Sequence, residues 1–468
     1  MTKEEISQNG QAKVNIPRDQ LKAFLVISAP IGSGVGCTMD EAKKALADHN
    51  VTYGLIEENI EEALLEENWG REYLVAQGKE AVNGTDAKLI FKFPLPKERM
   101  GPKADEQGNV NYHDLGLVYN VRKGSPLVER IPPTEGIPGT SISGTEIGAK
   151  TGKDVRLPKG KNTVADNEDK LLYAVLEGNV NVIDNKVVVD PLLQISGDVD
   201  YSTGDIDFVG DVLINGNVNT GFKVKAEGNI EIKGFIEGAE VTAGGSILIK
   251  GGITGGIKGC VRARENINCR FIENSNVEAG RDIIVKDSIM QSFIKAGGSV
   301  RVNDKRAIIV GGIIQAAQEV ESKVLGSQLA TQTIVEVGIN PYFREEYQHL
   351  LKSKNEKKKI YDNISNNLQV FQKSGVSPEN LNESKRLTLM KMLEDFKRLR
   401  QEITEMDERT LYLEEQFNRS HSAKVKVLET VYPGVRISIG QAIYIVNDTI
   451  KYAAFVLDEG EVKLTSLR

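Results

Sequence analysis

VKAEGNIEI (224–232), VTAGGSILI (241–249), VRARENINC (261–269), VEAGRDIIV (277–285) and IKAGGSVRV (294–302) are one phrase written five times, and a weaker sixth copy, IQAAQEVES, starts at Ile314. The starts lie 17, 20, 16, 17 and 20 residues apart. Each copy opens on a β-branched residue, places Ala two positions later, passes through turn formers and closes on apolar residues two apart, such as Ile230 and Ile232 or Ile247 and Ile249. Period-two alternation on both sides of a bend predicts two short strands that show the same face inward. A third apolar point stands five residues ahead of most copies, at Ile236, Ile272, Ile289 and Ile309. Each repeat therefore supplies three strand-sized pieces, enough for one coil of a right-handed β-solenoid, and the fold class is mainly β. A single coil cannot bury its own apolar face, whereas stacked coils share a continuous core. The ladder Ala226, Ala243, Ala263, Ala279, Ala296, Ala316 suits a narrow interior of identical small side chains. At the inter-strand spacing of ~4.8 Å, six such starts span about 24 Å.

The 468 residues exceed one ordinary domain, so several units are expected. Abundant Gly (45) and scarce aromatics (6%) agree with many bends around a thin core. A net charge of −7 gives no support for nucleic-acid binding. No apolar run approaches the ~20 residues needed to cross a bilayer, and MTKEEISQNG does not read as a signal peptide. Of three Cys residues, Cys269 takes the place of Ile232 and Ile249 and reads as a small buried apolar side chain. With Cys37 and Cys260 it forms neither zinc spacing nor an even disulfide set. A reduced, cytoplasmic setting is the expectation.

Residues 1–110 read as an N-terminal α/β domain with a linker. LKAFLVISA is strand-like, and Thr38 with Glu41 three places on forms a capping box for a helix. ENIEEALLEENW continues helically to Trp69, and REYLVAQG and AKLIFKF follow as strands around Asn83-Gly84. Residues 94–110 are polar, a linker or loop. Residues 111–192 alternate short strands with Pro-Gly and Asp-Asn turns, a small β-rich domain before the solenoid at 193–338.

Beyond Gly338 the period changes. Phe343, Tyr347, Leu350, Lys354, Lys357, Tyr361, Ile364, Leu368 and Phe371 make one seam at alternating four- and three-residue steps. Leu389, Met392, Phe396, Leu399, Ile403, Met406, Thr410, Leu413 and Phe417 make another, after the break KSGVSP. The pair predicts an antiparallel coiled-coil hairpin over 339–420, with arms of about 50 Å at 1.5 Å per residue. Lys354 and Lys357 interrupt the first seam; they either set register or leave a patch open for a second hairpin or another protein, and the Lys-rich run KSKNEKKK favours the open patch. Strands of 421–468 are expected to cap the last coil, because an uncovered end is an open sheet edge.

Residues that carry chemistry are sparse. Gly32, Gly34 and Gly36 have G-x-G-x-G spacing, but the dinucleotide fingerprint is G-x-G-x-x-G, and Cys37 stands where a P-loop places Lys. A flexible loop is expected there. His49, His113, His349 and His421 are scattered, with no pair at metal-ligand spacing. GDVDYSTGDIDFVGD holds Asp198, Asp200, Asp205, Asp207 and Asp211; converging carboxylates could hold Ca²⁺. The simpler reading turns Val199, Tyr201, Ile206 and Phe208 inward and the acids outward. The glutamates of 57–67 and the lysines of 352–359 read as solvated faces. No catalytic, cofactor-binding or metal-ligating residue is assigned, and no cofactor is expected.

The run DVDYSTGDIDFVGDVLINGNVNTGFKVKAEGNIEIKGFIEGAEVTAGGSILIKGGI (198–253) is similar to the flagellar assembly protein A family. PPTEGIPGTSISG (132–144), FIENSNVEAGRDIIV (271–285), VLGSQLATQTIVEVG (324–338) and VYPGVRISIG (431–440) extend the likeness. The resemblance implies a β-helical protein with a helical insertion, no catalytic residues to carry over, and a part in flagellar assembly or placement. Three functions follow for comparison. The first is a non-enzymatic scaffold whose partner is a protein, or a second copy of the chain, met through the hairpin. The second is a carbohydrate-active enzyme using the acidic first coil, and the third is a nucleotide binder at Gly32–Gly36.

Overall fold

The computed structural model describes residues 7–95, 113, 115–256, 259–373, 382–418 and 422–467. All but the first two residues of the predicted 94–110 linker, the KSGVSP break beyond Lys373 and His421 lie outside them. The chain divides into two compact units. One comprises Met1–Pro94, Gly124–Val175 and Asp184–Val187; the other Leu95–Lys123, Leu176–Ile183 and Val188–Arg468.

In the first unit β1 (Ala12–Asn15), β2 (Lys22–Ile27) and β3 (Glu72–Gln77) form an antiparallel sheet in that order. Helices α1 (Met39–Asp48) and α2 (Glu57–Leu64) cover it, and Leu25, Leu46, Ile60 and Val75 make its core. The capping box is present: the Glu41 amide donates to Thr38 Oγ1, and the Thr38 amide donates to Glu41 Oε2 at 2.8 Å. The helical run towards Trp69 ends earlier than expected, with α2 closing at Leu64 and a single 3₁₀ turn over Glu66–Asn68. The strands expected on either side of Asn83-Gly84 are present but do not pair with each other. Strand Lys88–Phe91 pairs with Pro126–Ile131, in a four-stranded sheet completed by Leu171–Ala174 and Thr163–Ala165. Asn83 Oδ1 is taken up by the Lys150 amide, so the turn residue closes a contact 67 positions away.

The second unit is the β-solenoid. Its strands stack in parallel with residue-for-residue register: Val224 on Val241 on Val261 on Val277 on Ile294, and Ala226 on Ala243 on Ala263 on Ala279 on Ala296. Three faces result. On the first, the inward positions Leu193, Val212, Ile230, Ile247, Ile267, Ile283, Val300 and Val320 mark eight turns. The second carries Val218, Ile236, Ile253, Ile272 and Ile289; the third carries the Ala ladder. These residues are all buried and form one core. Each of the two 20-residue spacings adds its extra residues to a bend, after Ile253 and after Val302, and leaves the faces in register.

Two devices turn the corners. Between the second and third faces the backbone enters the left-handed region at Gly238 (φ 53), Asn274 (φ 47) and Gln291 (φ 45), where small or amide side chains are tolerated. Ahead of the first face, the sixth position of the five full copies is a short polar residue, as is Asp211 one turn before them. Its side-chain oxygen accepts the amide of its counterpart one turn on: Asp211 from Asn229 (2.6 Å), Asn229 from Ser246 (2.9 Å), Asn266 from Asp282 (3.1 Å) and Asp282 from Ser299 (2.7 Å). The bends thus satisfy amides that the strand ladders do not reach.

After Val337 the chain leaves the stack as α3 (Pro341–Lys373) and α4 (Glu383–Asn418), which pack antiparallel along the predicted seams. Leu399, Thr410 and Leu413 are buried, and Tyr361 stacks on Phe396 at 4.6 Å. The chain then re-enters the solenoid. Lys424–Val431 lies parallel on Glu319–Leu325, and Val435–Ile439 lies parallel on Thr333–Val337, which adds a further turn. Only beyond it do antiparallel strands follow, Ala442–Ile445 on Val435–Ile439 and Ile450–Asp458 on Lys424–Val431, with Glu461–Ser466 outermost.

Candidate functional site

The acidic first turns are resolved residue by residue. Val199, Ile206 and Phe208 are buried as expected, but Tyr201 is 71% exposed. The chain bends at Asp200–Gly204, and the inward alternation ends there. Asp198 Oδ1 accepts the Asn217 amide at 2.7 Å and Asp211 Oδ1 the Asn229 amide. Asp207 pairs with Lys225 at 3.2 Å. Asp200 Oδ1 accepts the Ser202 hydroxyl (2.6 Å) and amide (2.8 Å), and these bonds, the hydroxyl first, hold its carboxyl below the usual range. The five carboxylates are each committed to a different partner. Among the described residues no group of three His, Cys, Asp or Glu side chains is placed to hold a metal ion.

His113, isolated in sequence, sits on these turns. Its Nδ1 is 3.2 Å from Asp205 Oδ1, which also accepts the Lys223 amide at 2.8 Å. Its ring lies 5.0 Å from Phe222, against which Tyr201 stands edge-on at 5.0 Å. A groove of about 440 Å³ runs between His113, Leu117 and Val118 on one wall and Thr203, Asp205 and Lys223 on the other. The Thr203 hydroxyl is turned to the Asp198 and Asp200 carbonyls, and Lys223 pairs with Glu240 at 3.3 Å. The groove's charged groups are paired, and Leu115, Leu117, Val118, Ile195 and Ile206 supply an apolar lining.

The loop of Gly32, Gly34 and Gly36 is hydrogen-bonded to the segment 8–10. The Ile31 amide donates to Gln8 at 2.8 Å, the Gly10 amide to Val35 at 3.0 Å, and the Val35 amide to Asn9 Oδ1 at 3.0 Å. A Cβ on Gly34 would stand 2.2 Å from the Gln8 carbonyl, so this glycine answers to backbone packing. Burial, then Glu41, pushes the Cys37 thiol up, away from thiolate chemistry.

The hairpin supplies the third candidate surface. Its root rests on the outer side of the third face. Lys295 pairs with Glu345, Arg344 with Glu336 at 2.7 Å, and Gln315 Nε2 donates to the same Glu336 at 2.9 Å. Tyr342 is packed there, and burial raises its hydroxyl to about 12. Further out, Arg409 grips Glu346 with two bonds of 2.6 and 2.8 Å, and the Tyr347 hydroxyl donates to Glu414. Lys354 and Lys357 leave no gap: their ammonium groups reach across to Asp407 and Glu402, the latter at 2.7 Å. The bond from Lys357 holds Glu402 below the ordinary carboxylate range.

Among the described residues no helix is long and apolar enough to cross a membrane. The family model of the Flagellar Assembly Protein A beta solenoid domain matches residues 191–462, and that of the Flagellar Assembly Protein A N-terminal region matches residues 12–185. Comparison with curated proteins and with solved structures finds no match.

Proposed function

The chain belongs to the Flagellar Assembly Protein A family, and from that premise we propose that it is a non-enzymatic cytoplasmic scaffold or adaptor in flagellar assembly. The β-solenoid is its rigid body, and the coiled-coil hairpin is the arm that meets a protein partner. One observation carries this reading. The hairpin interrupts the stack between Val337 and Lys424, yet the strands on either side continue the same parallel ladders, Val320 on Val425 and Val335 on Ile437. The core is complete without the helices, so nearly seventy helical residues (33 in α3 and 36 in α4) serve something other than the solenoid's own burial.

The test is excision of 341–421, with a short Gly/Ser linker joining the ends. The expected variant keeps its β circular dichroism and cooperative melt, but fails to co-precipitate flagellar assembly components and to restore motility to a strain lacking the native copy. Full motility from the excised chain would overturn the reading.

A further inference from the structure

The outer flank of α4 is complementary to itself. A stripe runs along it in alternating three- and four-residue steps, first through Met390, Leu393, Lys397 and Arg400, then through Thr404, Asp407, Leu411 and Glu414. The spacing reads the same in reverse about Glu402. A second α4 laid antiparallel across it therefore sets Leu393 on Leu411, Lys397 on Asp407, Arg400 on Thr404 and Met390 beside Glu414. Met390 is 57%, Leu393 44% and Leu411 61% exposed, so a single chain leaves them uncovered. Beside Leu393 a groove of about 450 Å³ opens between the helices, lined by Leu368, Phe371, Leu389 and Phe396 and by no charged residue. Among the described residues Lys397 and Arg400 enter no ion pair, while their neighbour Arg398 is tied to Asp395 and Glu402.

We propose that this flank pairs with the same flank of a second copy of the chain, antiparallel, about a two-fold axis at Glu402. The inference rests on the reading of the hairpin as a docking arm and names what one side of that arm meets. The charge along α4 selects this occupant and this direction. Residues 383–400 hold six Lys and Arg against three Asp and Glu, a net +3, and residues 401–418 hold one against six, a net −5. Antiparallel pairing lays each half on its opposite, whereas parallel pairing lays like on like. Glu394, one row outside the stripe, comes near Glu408 of the second copy. It stands one helical turn from Lys391, Lys397 and Arg398, however, and its half of the helix stays positive. Asp407 holds Lys354 of its own hairpin and is shared with Lys397 of the second copy. On α3 the row through Ser365 and Gln369 continues to Lys358 and Asp362, whose charges cancel. The groove beside Leu393 gives the incoming Leu411 an apolar seat. A single stripe falls short of the about 20–30 residues a side of a standard interface, so the pair forms at high concentration and separates at chromatographic dilution.

Sedimentation velocity of the full chain at about 5 μM and about 200 μM reads the pairing. Monomer is expected at the lower concentration, and dimer that added salt weakens at the higher. Lys397→Glu alone and Asp407→Lys alone each set like charges on both sides of the axis, and each should weaken the dimer at least about tenfold. Mixed in equal amounts, the two variants should pair as the unaltered chain does, because each reversed charge then meets its opposite. Where Asp407→Lys, which also gives up Lys354, loses helicity at 222 nm, cross-linking decides. Chains carrying Leu393→Cys mixed with chains carrying Leu411→Cys should cross-link on mild oxidation beyond the background of the unaltered chain, and Leu393→Cys alone should not. A monomer at the higher concentration, a dimer unmoved by either reversal, or a mixture that neither restores pairing nor cross-links overturns the proposal. So does a dimer that survives excision of 341–421. The two readings fail separately. If excision leaves capture of flagellar assembly components intact, the docking arm fails. If excision abolishes capture while the full chain stays monomeric at the higher concentration, only the second-copy assignment fails.

Discussion

At the scale of the residue, the interior is decided by positions that must be the same from turn to turn. Ala243 is 3% exposed between Ala226 and Ala263, and a larger side chain there meets identical neighbours above and below. Ala243→Leu should cost ~1–3 kcal/mol through overpacking, seen as a lowered urea midpoint; an unchanged midpoint would remove the Ala ladder from the core argument. The corner residues act on the backbone instead. Asn229→Ala takes away the acceptor of the Ser246 amide and should destabilise by about 0.5–1.5 kcal/mol, with Asn229→Asp restoring most of it. That ladder was legible as the sixth place of the five full copies, Asn, Ser, Asn, Asp and Ser in turn, although apolar periodicity passes over it. Tyr201 was misplaced because alternation holds only while the strand lasts, and Asp200 turns the chain first.

At the scale of the element, the hairpin is a seam closed by charge. Glu402 and Glu346 are both held below the ordinary carboxylate range, by the bonds from Lys357 and Arg409 respectively. Their protons bind more weakly in the folded hairpin than in the unfolded chain. The contribution is therefore fully present above the ordinary Glu value of ~4.3 and is lost as pH falls through the depressed folded values. Ellipticity at 222 nm should fall on acidification below about pH 4, and fall less in Glu402→Gln with Glu346→Gln. Lys354 and Lys357 are half-buried seam residues with partners across the hairpin. Ion pairs still open to solvent contribute little, and leucine at a seam position gains burial. Lys354→Leu with Lys357→Leu should raise stability by about 1–2 kcal/mol without changing the oligomeric state. A less stable double variant would show that the ion pairs, and not the apolar seam, dominate there.

At the scale of the whole molecule, the solenoid ends matter most. A chain stopped after Gly338 would lose the turn that lies on Glu319–Leu325 and Thr333–Val337, along with the antiparallel strands beyond it. Two parallel strands would be left as open edges, and size-exclusion chromatography should show aggregates, whereas the linker-joined excision of 341–421 should elute as the full chain does. The sequence by itself determined the register of the turns, the three-faced core and both helical seams. In-register stacking and heptad packing each demand that one residue type recur at a short fixed period, and a short period is visible in one dimension. Only the tertiary structure decided the rest. It paired Lys88–Phe91 with Pro126–Ile131, brought His113 to Asp205 and threaded Lys424–Val431 back onto the stack. Those contacts join segments up to about a hundred residues apart that share no repeat. Their partners are chosen by which backbone groups and charges the completed core leaves within reach, and a local pattern holds no record of that choice.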